Sequence, residues 1–208
     1  DVLGGDAFGS LMDNYSTFSR DGAMPYGAAG PNLPFALITQ HYMDRTGATR
    51  EDMGRISIAQ RYNGAAFPHA LLKKPLSMEE YLAARPIAEP LHLYDCVMPC
   101  SGAEAFLVMS EERAKSRNLP YARILAGIER HNANREDNVQ ISGGWPVERD
   151  ALYQAAGLGP GDMAFLQAYD DYPVIVMFQL EGLGFCAAGA APAFVRETDL
   201  TADGGTQV

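Results

Sequence analysis

The stretch Ala164-Phe165-Leu166-Gln167-Ala168-Tyr169-Asp170-Asp171-Tyr172-Pro173-Val174-Ile175-Val176-Met177-Phe178-Gln179-Leu180-Glu181-Gly182-Leu183-Gly184-Phe185-Cys186 decides how this chain folds. Its first six residues, 164–169, read as a short buried strand that stops at the acidic pair Asp170-Asp171. Pro173 then opens a run that stays apolar to Leu183, and proline suits the first turn of a helix because its missing N–H would have no intrahelical partner there. A buried strand feeding a buried helix is one unit of a layered α/β architecture.

Working outward, the alternation repeats. Residues 103–109 form a short apolar run expected as a strand, and Ser110-Glu111-Glu112-Arg113-Ala114 starts a helix after it. Residues 122–128 read as a further strand, and 147–156 as a helix that Gly157 stops. Toward the N-terminus, Leu37, Ile38, His41 and Tyr42 fall at helical spacing within 34–46. Thr49-Arg50-Glu51-Asp52 has the form of a capping box and opens a helix running to about Asn63. Ser77-Met78-Glu79-Glu80 opens a shorter helix by the same logic, closed by Pro86 and Pro90. Residues 7–34 are dense in Gly, Pro, Asn and Ser, yet they carry Phe8, Tyr15, Phe18 and Tyr26, with Phe35 just beyond. A polar loop has no need of so many rings, so this one is expected to pack against the body, a partner or a ligand. The chain shows no internal repeat and no low-complexity segment.

With 208 residues, 47% of them apolar and 20% charged, the chain can bury enough surface to offset its ordering entropy, which excludes disorder. No run approaches the length of a membrane-spanning helix. Sixteen Lys and Arg against 26 Asp and Glu give a net charge of −10. That balance argues against nucleic acid or an anionic membrane as a partner, since both demand clustered positive charge. The three cysteines, Cys96, Cys100 and Cys186, make no disulfide framework, and neither they nor the scattered His41, His69, His92 and His131 show metal-ligand spacing. A reducing cytoplasmic setting fits that usage. Asp1-Val2-Leu3-Gly4-Gly5-Asp6 opens like the end of a strand entering a turn, and Asp203-Gly204-Gly205-Thr206-Gln207-Val208 stops after a turn signal. Both ends are expected to be cuts within a longer polypeptide.

Several local patterns, in order, resemble the thiolase superfamily. Arg61-Tyr62-Asn63-Gly64-Ala65-Ala66-Phe67-Pro68-His69-Ala70 is similar to the Asn-Ala…Asn-Pro-x-Ala stretch of that family. Arg85-Pro86-Ile87-Ala88-Glu89-Pro90-Leu91 is similar to its Arg-x-Ile-Ala-x-Pro-Leu segment. Tyr94-Asp95-Cys96, Ser101-Gly102-Ala103-Glu104-Ala105 and Met109-Ser110-Glu111-Glu112-Arg113-Ala114 resemble the start of its C-terminal half. Leu180-Glu181-Gly182-Leu183-Gly184-Phe185-Cys186 resembles the helix end of the sterol-carrier-protein-x type of thiolase. The resemblance covers roughly residues 50–208.

It implies an α/β/α/β/α layered fold, of which this chain is an incomplete middle portion, with residues 1–92 the remnant of the N-terminal half and its loop region, and 93–208 the first part of the C-terminal half. It also implies a dimer acting on acyl-CoA thioesters, with coenzyme A as part of the substrate and no other cofactor. The family's nucleophilic Cys would lie upstream of Asp1 and its Asn-x-x-Gly-Gly motif downstream of Val208, so this segment alone is expected not to perform thiolase chemistry. Cys100-Ser101-Gly102 falls in a small-residue region of the pattern and not at the nucleophile position. Cys186 ends an apolar helix and reads as a structural thiol, and His69 as an ordinary loop histidine.

Tyr169-Asp170-Asp171-Tyr172 is where the chain departs from the pattern. It falls where thiolases carry Asn-Glu-x-Phe or His-Asp-x-Phe, whose first residue helps to hold the thioester oxygen. A Tyr there offers one O–H donor with an ordinary pKa near 10, and neighbouring carboxylates push that pKa up, favouring a neutral donor. An Asp whose pKa is raised by a low-dielectric pocket is the candidate base. Tyr169, Asp170 and Asp171 are therefore the candidate catalytic residues and Tyr172 the candidate substrate contact. The competing reading is that Asp171 caps the following helix and Tyr172 packs in the core. The variant resembles the thiolase-like steroid side-chain aldolases, which work with a partner bearing an OB-fold domain. An ordinary acyltransferase and a retro-aldolase both remain open at this point. So do a non-catalytic scaffold half binding a partner subunit or acyl-CoA, and an unrelated small α/β protein.

Overall fold

Capping chemistry sets where the helices begin. In this computed structural model, which describes residues 21–204 apart from 23, 28–29, 99, 132, 135 and 138–140, the Asp52 N–H reaches Thr49 Oγ1 at 3.4 Å while Asp52 Oδ2 accepts the Thr49 N–H at 2.8 Å. That reciprocal pair opens helix α2 (Arg50–Ala65), which follows α1 (Asn32–Thr46). Glu80 and Ser77 make the same exchange, at 3.1 and 3.2 Å, at the start of α3 (Met78–Leu82). Ser110 accepts the Arg113 N–H at 3.3 Å and opens α4 (Glu111–Ser116). Helix α5 (Trp145–Ala156) starts two residues before its expected position, with Pro146 in its first turn, and stops at Gly157, whose φ of 69° is left-handed. Helices α6 (Pro173–Gly182) and α7 (Ala191–Glu197) complete the set among the described residues.

Helix α6 is apolar on nearly every side, and such a helix has to be enclosed. Val174, Val176, Met177 and Leu180 are fully buried among Ile38 and Tyr42 of α1, Met53, Ile56 and Ala59 of α2, and Val195 of α7. Each of these side chains contributes roughly 1.5–3 kcal/mol on burial, so α6 is the anchor on which the surrounding helices dock. No helix of the described residues is long and apolar enough to cross a membrane.

One close approach sets the packing of α2 on α3. A Cβ on Gly54 would stand 2.7 and 2.8 Å from Tyr81 ring carbons and 2.9 Å from the Met78 sulfur. Tyr81 is fully buried and its hydroxyl donates to Asp95, so the ring has nowhere to swing. Gly54→Ala is expected to lose about 1–3 kcal/mol from overpacking, against at most about 1 kcal/mol gained in helix propensity. Urea unfolding should show a lowered midpoint; an unchanged or raised one would mean that α3 shifts freely.

The expected strands are corrected by the structure. The only ladder among the described residues pairs β1 (Pro86–Ala88) antiparallel with β2 (Leu91–His92). Residues 103–109 and 122–128 form no strand, and Phe106 stands 86% exposed and Ile124 83%. Residues 164–169 likewise form no strand of their own. An apolar run says that a segment gains from burial, but a strand also needs a neighbour to share its N–H and C=O groups along its length, and beyond an isolated bridge at Phe165 these segments have no such pairing among the described residues. Of the aromatic residues in the 7–34 loop, Phe8, Tyr15 and Phe18 lie outside the described residues. Tyr26 is 89% exposed, against the expectation of packing, whereas Phe35 stacks on Tyr172 with ring centroids 4.1 Å apart.

Candidate active site

Tyr169, Asp170 and Asp171 occupy the turn that leads into α6, and a side chain of that helix fixes the turn. Gln179 Oε1 accepts the Tyr169 N–H at 3.0 Å, and Gln179 Nε2 donates to the Tyr169 carbonyl at 2.7 Å and to the Ile175 carbonyl at 3.1 Å. The buried amide thus does for Tyr169 what a neighbouring strand would do, satisfying both backbone groups. Gln179 was not among the candidates read from sequence. Its signal is a lone amide inside an otherwise apolar helix, where a polar group has to have a hydrogen-bonding task.

With its backbone fixed, Tyr169 leaves its side chain 63% exposed, and its hydroxyl donates to Asp171 Oδ2. That hydrogen bond, then desolvation and the charges of Asp171 and Asp170, push the phenol up to about 12. It is a neutral donor at physiological pH. Asp170 and Asp171 line a cleft of about 270 Å³ together with Pro173, Ser57 and Arg61 of α2, and Tyr94. Asp170 is exposed on the cleft rim, yet partial desolvation by the protein beside it, with a smaller push from the Asp171 charge, raises its carboxyl above the ordinary range despite a hydrogen bond that opposes it.

Two further groups reach the cleft from distant sequence. Asp95 is buried, accepts the Tyr81 hydroxyl and takes the His92 N–H at 2.8 Å; burial raises its carboxyl more than these hydrogen bonds lower it. Arg61 stands with its guanidinium 5.7 Å from the Tyr94 ring centre and donates to the Lys74 carbonyl at 3.3 Å. It brings positive charge into a cleft otherwise rich in carboxylates. Cys96 also lines it, but burial, helped by Asp95, pushes the thiol up to about 11 and keeps it protonated.

The remaining candidates fall elsewhere. Tyr172 is 1% exposed, its ring stacked on Phe35 and its hydroxyl donating to Asn32 Oδ1 at 2.7 Å. The structure therefore places it in the core behind the cleft wall, because the residue preceding Pro173 turns its side chain inward as α6 begins. No side chain caps α6 by a hydrogen bond, so Asp171 is not its cap. His69 lies at the surface edge-on to Phe67, centroids 5.5 Å apart, and Cys100 is exposed. Cys186 is half-buried at the far end of α6, its thiol pushed up to about 11 by burial first and by Glu181. Among the described residues no three His, Cys, Asp or Glu side chains gather as a metal site. The turn before α6 can hold and move protons: a neutral phenol, a carboxylate hydrogen-bonded to it, and a second carboxyl with raised proton affinity.

Residues 129–208 match the family described as thiolase C-terminal domain-like. The steroid side-chain-cleaving aldolase of Thermomonospora curvata is 34% identical over 191 residues, covering 87% of this chain and 48% of that protein. The benzoylsuccinyl-CoA thiolase subunit BbsB of Thauera aromatica is 30% identical, covering 96% of this chain and 51% of that protein. A chain of the solved "Ltp2-ChsH2(DUF35) aldolase" superposes with a TM-score of 0.77 at 32% identity, over 93% of this chain and 53% of that one. The chain spans about half the length of the relatives it matches.

Proposed function

We propose, from the match of residues 129–208 to the thiolase C-terminal domain-like family and from the thiolase-like fold, that the natural polypeptide breaks a carbon–carbon bond beside a CoA thioester by retro-aldol cleavage, with Tyr169, Asp170 and Asp171 handling the protons. The observation that carries this reading is the Tyr169 hydroxyl bonded to Asp171 at a cleft into which Asp170 brings a carboxyl of raised proton affinity. A β-hydroxyacyl-CoA gives up its hydroxyl proton to a base, for which Asp170 is suited. The bond between Cα and Cβ then breaks, its electron pair passes to Cα and the thioester oxygen as an enolate, and the carbon that bore the hydroxyl leaves as a ketone. The abstracted proton returns to Cα and completes a shortened acyl-CoA. Tyr169, turned from Asp171 to the thioester oxygen, supplies the donor that stabilises the enolate. No acyl-cysteine is needed, in keeping with the protonated state of Cys96.

Support also comes from the relatives at 34% and 32% identity, both named as aldolases. The two-component name of the solved aldolase favours a partner subunit, for which an OB-fold protein is our candidate beside a second copy of the chain. The thiolase subunit relative favours a second reading, acyl transfer from a 3-oxoacyl-CoA to free CoA. One assay separates the two. Incubated with a steroid-type β-hydroxyacyl-CoA and no free CoA, the natural polypeptide with its partner should release ketone and shortened acyl-CoA in equal amounts. Product formation only from 3-oxoacyl-CoA, and only with free CoA, would replace cleavage by acyl transfer.

The base assignment makes its own prediction. Because the Asp170 carboxyl is raised and must be ionised to accept the proton, kcat/KM should rise with pH along a limb lying above the ordinary aspartate range near 3.9. Asp170→Asn should remove both that limb and roughly a hundredfold or more of the rate. A variant keeping the same acid limb would exclude Asp170 as the titrating base.

A further inference from the structure

The segment Glu181-Gly182-Leu183-Gly184 takes no part in the chemistry above, yet one face of α5 is built around it. A Cβ on Gly182 would stand 2.9 Å from the Trp145 Cβ and 3.3 Å from Pro146, so only glycine lets α5 come this near. Gly184, with φ of 83°, lies under Arg149, whose side chain would stand 3.3 Å from a Cβ there. Between them the Leu183 carbonyl accepts the Tyr153 hydroxyl at 2.9 Å. Trp145, Arg149 and Tyr153 are spaced four apart and share one helix face. The two glycines and the carbonyl between them thus seat α5 residue by residue.

What this docking borders is a half-open cleft of about 540 Å³, within the range of small-molecule sites. It lies at the C-terminal end of α6, about 15 Å along the helix from the Tyr169 turn. Trp145 and Phe178 give it aromatic walls, and Arg45 and Arg149 bring two guanidinium groups to it in a chain whose net charge is −10. The acidic Glu181 on its lining is already engaged, accepting the Tyr42 hydroxyl at 2.5 Å and the Ala191 N–H at 3.1 Å. Arg149 keeps an exposed partner in Asp150, at 3.0 Å. His41, on the same lining, has its Nε2 shielded from water without a hydrogen-bond partner.

We propose that this cleft binds an amphipathic organic carboxylate, its apolar body between Trp145 and Phe178 and its head on Arg45 and Arg149. Arginine suits that head because its planar fork meets a carboxylate with two parallel hydrogen bonds. The site stands apart from the proposed cleavage chemistry, so it is tested by binding alone. In calorimetric titrations of the natural polypeptide, 4-phenylbutyrate should bind saturably and 4-phenylbutanol far more weakly, with added salt weakening only the former. Arg149→Gln should weaken phenylbutyrate about tenfold, the equivalent of about 1.4 kcal/mol. Arg45→Gln, at an exposed position, should do likewise, and near-ultraviolet circular dichroism checks that both variants stay folded. Absence of saturable phenylbutyrate binding, equal binding of acid and alcohol, or indifference to both substitutions would each overturn the proposal.

Discussion

Replacing Tyr169 with Phe in the natural polypeptide is expected to lower kcat for cleavage by about a hundred- to ten-thousandfold, the range of a lost proton-transferring group, with KM changed far less. The structure explains why so large a loss should come without structural damage. The side chain is 63% exposed and packs little, and the Tyr169 backbone is held by Gln179, which the substitution leaves alone. Stability should therefore move by no more than about 1 kcal/mol, the worth of one exposed hydrogen bond. Asp171→Asn is the informative companion, because an Asn carbonyl can still accept the Tyr169 hydroxyl while the charge is gone. The phenol, now pushed up to about 12 chiefly by that hydrogen bond and then by burial and charge, should fall only part of the way back, because the hydrogen bond and the burial remain and the Asp171 charge alone is lost. Ultraviolet difference titration reads this shift directly. Unchanged turnover in Tyr169→Phe would remove the tyrosine from the mechanism.

What the sequence made legible was whatever a few adjacent residues decide among themselves. Thr49 with Asp52, and Ser77 with Glu80, close their hydrogen bonds within four residues, and the helices begin where those pairs say. The turn at Tyr169-Asp170-Asp171 was visible because polar residues interrupt two apolar runs, and the structure gathers all three there. The strands were not legible for the opposite reason: pairing is a property of two segments, and the apolarity of 103–109 or 122–128 says nothing of whether a neighbour lies alongside. The same holds for Asp95 and Arg61, which reach the cleft from the turn after β2 and from α2. Tyr172 shows how face matters, since the single step from Asp171 on the cleft lining to Tyr172 turns the side chain into the core. The glycines of 181–186 could be recognised as a pattern, but their purpose depends on α5, some thirty residues upstream in the chain.

Removing the carboxylate of Asp52 is expected to destabilise the fold by about 2–4 kcal/mol, a large share of the roughly 5–15 kcal/mol that holds a domain together. Asp52 is 1% exposed and serves two partners: Thr49, in the capping box of α2, and Arg196 of α7, whose Nε and Nη2 reach its two oxygens at 2.6 and 2.5 Å. Asp52→Ala loses the cap, about 1 kcal/mol, and the bidentate tie between two helices. The Arg196 side chain is 46% exposed and can take water once unpaired, which keeps the cost below that of stranding a buried charge. Burial alone would raise the Asp52 carboxyl, but the hydrogen bonds from Arg196 and Thr49 outweigh it and the net shift is downward. A lowered folded pKa means stability fully present above the ordinary aspartate value and lost as pH falls through the folded one. Asp95 carries the opposite sign: its raised carboxyl withdraws stability as pH climbs from the ordinary value to the folded one. Urea midpoints taken from neutral to acid pH should therefore separate the two. The gap between the native chain and Asp52→Asn, which keeps the cap's acceptor but drops the charge, should be widest near neutrality and narrow on acidification. A gap that stays constant with pH would mean that the Arg196 tie holds through shape and hydrogen bonding, with no contribution from the carboxylate's charge.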